Sequence, residues 1–284
     1  MQRELPLESE DFGHYYRYAP AALAIREVVR LKAVRRLNLK GPILDVGCGD
    51  GLFAKLAYPN QQSWGIDINP TEIQRAQQSK SYGTLICGNI CDVDLPPAFF
   101  HSAIANCSLE HVPDIDGALR TIRGSLEPGG IFVMIVPTPD WDQHLLTPEL
   151  LTKVGLKSLA RAYGDALNHI FYHVHLYERS KWEGILERAG FVTERCEGIA
   201  LKDTSYAFDL MLYPSVLGWV MKRLTGRWVL APGLRSLSAD LSRAIINRIG
   251  NATPDSDGAT EFMFVCRAPE AEAENPAEQP HQGA

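Results

Sequence analysis

The sequence predicts an α/β fold built on a doubly wound parallel sheet, and three observations carry that expectation. Short apolar runs that read as buried strands alternate with amphipathic runs that read as helices, and chained strand–helix–strand units pack helices on both faces of a parallel sheet. The first such strand, opening at Ile43, runs straight into Gly47-Cys48-Gly49-Asp50-Gly51, a glycine turn followed by a helix start at Leu52. Finally, Asp45, Asp67, Asn89 and Asn106 fall at or near the carboxyl ends of four separate predicted strands, where open α/β sheets bind their ligands.

Composition narrows the class. A chain of 284 residues, 45% hydrophobic and 22% charged, suits one large soluble domain or one domain carrying an insertion. The formal charge of −6 argues against nonspecific nucleic-acid binding. Cys48, Cys87, Cys91, Cys107, Cys196 and Cys266 show no Cys-x-x-Cys spacing, and several lie inside apolar runs. Neither a metal site nor a disulfide framework is expected, and a reducing compartment fits. The polar, acidic stretch Met1–Glu10 lacks the pattern of a secretory signal, so a cytoplasmic location is expected.

In order, residues 1–20 read as an irregular lead-in holding Tyr15, Tyr16 and Tyr18, followed by a helix over 21–37 with apolar residues at three- to five-residue intervals. Gly41-Pro42 breaks that helix before the first strand. A helix at 52–57, a strand at 63–68, a helix at 70–79 and a strand at 84–88 come next. The fourth strand, 102–106, precedes a helix at 115–126, a Pro128-Gly129-Gly130 turn and a strand at 131–136. Residues 140–168 read as helical and irregular; a helix at 179–190 and strands at 191–199 and 261–267 complete the series.

The glycine turn suits a ligand with an amino-acid end and a nucleoside. Its glycines let backbone approach the ligand, and the following helix start presents unpaired N–H groups. A dinucleotide fingerprint wants a small third residue, where Leu52 stands, and its pyrophosphate would be repelled by Asp45 and Asp50. An ammonium group would instead be attracted.

On the motif Asp45-x-Gly47-x-Gly49-x-Gly51, the chain resembles the class I S-adenosylmethionine-dependent methyltransferases. Leu109-Glu110-His111-Val112-Pro113-Asp114 and the Pro-Gly-Gly turn resemble the small-molecule, type 11-like branch. The resemblance implies seven strands, with the late strand at 261–267 inserted antiparallel, and S-adenosylmethionine as cofactor. It assigns the glycine turn, with Asp45, Gly47, Cys48, Gly49 and Gly51, to the cofactor. Asp67 would hold the ribose hydroxyls, a task its position at a second-strand end suits, and Ile68 would pack on adenine. Where the family usually has Asp, Asn89 keeps an acceptor for the adenine amino group, and Ile90 offers a backbone N–H. Asn106 completes the strand-end set. Phe100-His101 stands where the family commonly has Phe-Asp.

The resulting expectation is methyl transfer to a small, lipophilic acceptor by in-line displacement, which mainly demands alignment. An acceptor oxygen or nitrogen needs a base titrating near working pH, which favours His; His111 is the candidate. Tyr15, Tyr16, His169 and His173 are candidates for the acceptor pocket. Three histidines lie together at His169, His173 and His175, but no carboxylate–cysteine set accompanies them, so no metal is expected. A noncatalytic cofactor-binding scaffold and a nicotinamide oxidoreductase are the alternatives from other classes.

The expected layout is a lead-in and helix at 1–40, a nucleoside-binding core at 41–199, an insertion at 200–258, a final core strand at 259–268 and a disordered tail at 269–284. The insertion is long for a plain connection, and residues 206–228 combine Met211, Leu212, Tyr213, Trp219 and Trp228 with nearby basic residues. That composition suits a helical cap over a greasy acceptor or a peripheral membrane contact. The oligomeric state is not legible.

Overall fold

The computed structural model describes residues 9–225 and 258–270, with 229 and 244 between them. The first eight residues, most of the insertion beyond 225, including Trp228, and the tail from 271 lie outside the described residues. The elements run α1 (Ser9–Tyr18), α2 (Ala21–Arg35), β1 (Ile43–Val46), α3 (Leu52–Ala57), β2 (Ser63–Asp67), α4 (Pro70–Ser79), β3 (Thr84–Cys87) and β4 (Phe100–Asn106). They continue with α5 (Ile115–Ser125), β5 (Leu126–Pro137), α6 (Leu146–Lys153), α7 (Lys157–Ile170), α8 (Arg179–Arg188), β6 (Val192–Ile199), α9 (Lys202–Thr225) and β7 (Glu261–Arg267).

Among the described residues the sheet has seven strands in the order β3-β2-β1-β4-β5-β7-β6. Every pairing from β3 to β5 is parallel, and β7 runs antiparallel to both β5 and β6. This is the doubly wound sheet with a late antiparallel strand that the sequence predicts. The two-residue period of the strands sorts the core into two layers. Ile43, Ile104, Val133, Ile135 and Val265 face α1, α2 and α3. Leu44, Ala103, Ala105, Phe132 and Met134 face α5 and α8, with Trp182 and Leu186 on α8.

The expected irregular lead-in is corrected from residue 9 onward: α1 is a helix. Phe12 and Tyr16 lie four residues apart, stack with ring centroids 5.3 Å apart, and are buried with Tyr15 in the core shared with β1 and β4. Tertiary packing, rather than propensity, holds so short a helix.

Helix α9 begins the insertion and packs on α2 and α6. Its buried Asp209 accepts from the Thr147 amide at 2.6 Å and from the Tyr163 hydroxyl, tying the helix to α6 and α7. Pro214 lies inside the helix. No described helix is long and apolar enough to cross a membrane.

Candidate active site

The turn after β1 brings backbone to the carboxyl edge of the sheet. Gly47 (φ +77) and Gly49 (φ +54) adopt left-handed conformations that cost a side-chain-bearing residue ~1–2 kcal/mol. They differ in surroundings. A Cβ on Gly47 would lie 2.3 Å from Ser108 Cβ, whereas one on Gly49 would point into open space. Gly49 therefore edges a cradle that a ligand can fill.

Asp67 stands beside that cradle. Its Oδ2 accepts from the Gly49 amide at 2.9 Å and its Oδ1 from the Asn69 amide at 2.8 Å, so the carboxylate joins the glycine turn to the end of β2. Ile68 is 72% exposed, an apolar face available to a flat ring. A buried Ile90 and Asn89 follow β3. The Asn89 carboxamide is engaged locally: Oδ1 accepts from the Cys91 amide at 3.2 Å and Nδ2 donates to Asp92 Oδ2 at 3.1 Å. Its acceptor oxygen is thus partly engaged by a turn, with a second lone pair left over.

Asp45 is more buried than the motif alone suggests. Its Oδ2 accepts from Tyr58 and Tyr82 hydroxyls, so it braces the turn from behind. Burial pushes its carboxyl up to about 6 against those two bonds, with Asp67 and Glu27 adding repulsion. Burial likewise raises Asp50, whose Oδ1 already accepts from the Leu52 amide at 3.0 Å, taking one donor of the helix start. Cys48 is buried against Gly65. Crowded carboxyls of this kind favour a ligand carrying positive charge, and the cradle, exposed Ile68 and Asp67 fit a sulfonium nucleoside.

A second compartment lies at the ends of β4 and β5. It is a cavity of about 160 Å³ whose walls include Arg26, Glu110, His111, Trp141, His173 and Phe208. Cys107 and Pro137, at the strand ends, also border it. His111 Nδ1 lies 3.0 Å from the Tyr172 carbonyl; a carbonyl only accepts, so Nδ1 carries the hydrogen and Nε2 keeps its lone pair. Nε2 lies 3.7 Å from Glu110 Oε1. Burial lowers the His111 pKa, and burial together with the neighbouring His111 brings His173 down to about 4. The two rings stack at 5.7 Å. Glu110 is 1% exposed, and burial raises its carboxyl to about 8.

Beneath the cavity, Glu261 at the start of β7 joins two arginines of α2. Its Oε1 accepts from Arg26 Nη1 and Arg30 Nη2, both at 2.6 Å, and its Oε2 from Arg30 Nε at 2.9 Å. Burial opposes the charge, yet Arg30 and Arg26 hold Glu261 down to about 2. Glu27 pairs with Arg30 and accepts from Asn106 Nδ2 at 3.0 Å, so Asn106 orients this network.

The predicted residues thus divide. His111 and His173 meet across the cavity. His169 is exposed and neighbours Tyr172 at 6.4 Å; it does not line the cavity, because its place near the end of α7 turns it to solvent. Tyr15 and Tyr16 do not line it either, since α1 directs them into the core. His175, third of the histidine cluster, is buried with its ring nitrogens on the Tyr177 hydroxyl and the Val112 carbonyl. Sequence reasoning missed Arg26, Arg30, Glu110, Trp141, Phe208 and Glu261. Three charged residues on one helix, at 26, 27 and 30, were the available signal.

Comparison with known proteins agrees with this geometry. A family model described as a methyltransferase domain matches residues 12–195. An uncharacterised methyltransferase of Mycobacterium bovis is 33% identical over 96 residues, 33% of this chain and 49% of that protein; the chain spans about half the length of this curated relative. Trans-aconitate 2-methyltransferase of Rhodopseudomonas palustris is 23% identical over 177 residues, 56% of this chain and 68% of that one. Among solved structures the cyclase SpnF has a TM-score of 0.54 at 16% identity, covering 87% of this chain and 82% of its own, a likeness of fold alone. Matched over well more than half its length, and with a glycine turn and a sheet order of that kind, the chain belongs to the S-adenosylmethionine-dependent methyltransferases of the class I fold.

Proposed function

We propose that the protein transfers a methyl group from S-adenosylmethionine to a small acceptor with an apolar body, by in-line displacement in the cavity at the ends of β4 and β5. The observation that carries this reading is the pairing of two compartments on one sheet edge. One is an open cradle at Gly49 and Asp67; the other is a small chamber walled by Trp141, Phe171 and Phe208.

The cofactor supplies a methyl group already activated by the positive sulfur. The chain's own task is binding, alignment and one proton. Asp67 orients the sugar and Ile68 covers the base. Asn106, held by Glu27, fixes the strand end beside the glycine turn. At the chamber, His111 takes the acceptor's proton at Nε2, the nitrogen left unprotonated by the Tyr172 contact. Its lowered pKa keeps the ring neutral near pH 7. Glu110, held protonated at that pH by burial, adds no negative charge to oppose an anionic nucleophile.

Transfer of a labelled methyl group from S-adenosylmethionine into a small-molecule extract tests this reading. A labelled product is expected; tight S-adenosylhomocysteine binding with no product would favour a noncatalytic scaffold.

One surface supports an additional membrane contact. Leu210, Tyr213, Val220 and Leu224 are exposed at spacings that place them along one face of α9. Co-sedimentation with anionic liposomes, abolished by making these four positions polar, is the expected result.

A further inference from the structure

The two arginines beneath the chamber are unequally used. Arg30 donates from Nε, Nη1 and Nη2 to Glu261 and Glu27. Arg26 donates from Nη1 alone; its Nε and Nη2 are buried without a partner in a residue only 5% exposed. Nε and Nη2 form the side-on fork of a guanidinium, the edge that matches two oxygens of a carboxylate. The flat of the same group lies over Phe208 at 4.2 Å and near Trp141 at 5.2 Å, which fixes the plane of the fork. Arg26 lines the chamber, as do those two rings.

Buried donors left open in a cavity wall call for an acceptor that arrives from outside. Resting on the reading of this chamber as the acceptor pocket, we propose that the Nε–Nη2 edge of Arg26 recognises the carboxylate of an acceptor whose flat, apolar body lies among Trp141, Phe171 and Phe208.

Glu261 stays ionised between the two arginines, and the open planar fork, held between aromatic faces, fits a flat carboxylate better than a tetrahedral phosphate. The cofactor's own carboxylate is the rival source of the same chemistry. None of Gly47, Gly49, Gly51, Asp67 or Asn89 borders this chamber, however, and its aromatic walls come from beyond β5. Glu110 Oε2, buried without a partner on the same chamber, offers a second polar contact to the same acceptor.

Calorimetry on the full chain saturated with S-adenosylhomocysteine tests the fork with benzoate, benzamide and phenyl phosphate as probes. Benzoate is expected to bind at least tenfold tighter than either of the others, a comparison that needs no variant. In Arg26→Met, which leaves Glu261 with both Arg30 contacts, the preference for benzoate over benzamide should fall below twofold. S-adenosylhomocysteine affinity should stay within twofold. Arg26→Lys, keeping the charge without the fork, should recover only part of the preference. Equal binding of benzoate and benzamide, absence of benzoate binding, or tighter phenyl phosphate would overturn the proposal. So would a loss of S-adenosylhomocysteine affinity in Arg26→Met as large as the loss for benzoate, since the fork would then serve the cofactor. Failure of the wild-type protein to bind S-adenosylhomocysteine would sink the methyltransferase reading instead, and the benzoate comparison on the free protein would still decide the fork.

Discussion

The cradle at the glycine turn and the chamber at the ends of β4 and β5 share one sheet edge but are made of different material. The cradle is largely backbone, with residues drawn from 45–92, and its one central side chain, Asp67, is tied to an amide of the turn itself. The chamber is largely side chain, and its walls come from positions as distant as 26, 110, 141, 173, 208 and 261. Backbone concavities tolerate change in side chains but not in φ; side-chain chambers tolerate the reverse. The first compartment is therefore set mainly by backbone conformation and the second by side-chain identity, consistent with function residing in sites grafted onto a shared fold.

That contrast can be broken at four points. The largest effect is expected at Gly47→Ala, where a left-handed φ and a Cβ 2.3 Å from Ser108 act together. Stability should fall by about 3 kcal/mol in urea unfolding; a loss under ~1 kcal/mol would show that the turn can shift. Next, Asp67→Ala should weaken S-adenosylhomocysteine by about 100-fold, since hydrogen bonds to a charged group contribute ~1.5–3 kcal/mol each. Unchanged affinity in calorimetry would remove Asp67 from the cradle.

The third point concerns Glu110, whose carboxyl sits at about 8 in the fold against an ordinary 4.5. Between those values the folded state holds a proton that the unfolded chain has lost, so this group's contribution falls as pH rises. The slope is up to ~1.4 kcal/mol per pH unit. Glu110→Gln should flatten the fall in stability from pH 5 to 8 relative to wild type. Parallel curves for the two proteins would contradict it. The smallest effect is expected at His169→Ala. An exposed residue outside both compartments should change stability by less than ~0.5 kcal/mol and leave methyl transfer unaltered.

The cradle was legible because its parts are near neighbours in sequence. Positive-φ positions demand glycine, a strand end before them supplies Asp45, and the next strand end supplies Asp67. Strand and helix positions followed from periodicity in the same way, and α3, α4 and β7 fall where the pattern puts them. The chamber was not legible, because nothing in the run Ile25-Arg26-Glu27 says that Glu261 will lie against it. Charged residues on a helix ordinarily face water, and here Glu261 of β7 together with Trp141 and Phe208 covers them. Helix α1 is hidden in the sequence for a related reason: its apolar stripe is short, Gly13 interrupts it, and the tertiary contacts that hold it are invisible locally. Asp45 and Asn89 were recognised by motif, but their hydrogen bonds to Tyr58, Tyr82 and Cys91 depend on the folded turn.

Because β7 enters the sheet antiparallel between two earlier strands, its first residue, Glu261, neutralises cations placed more than two hundred positions upstream. A ribosome-bound chain that has not yet released this strand holds Arg26 and Arg30 without their shared counter-ion. The wall that α2 gives to the chamber is therefore complete only once synthesis has passed the final strand.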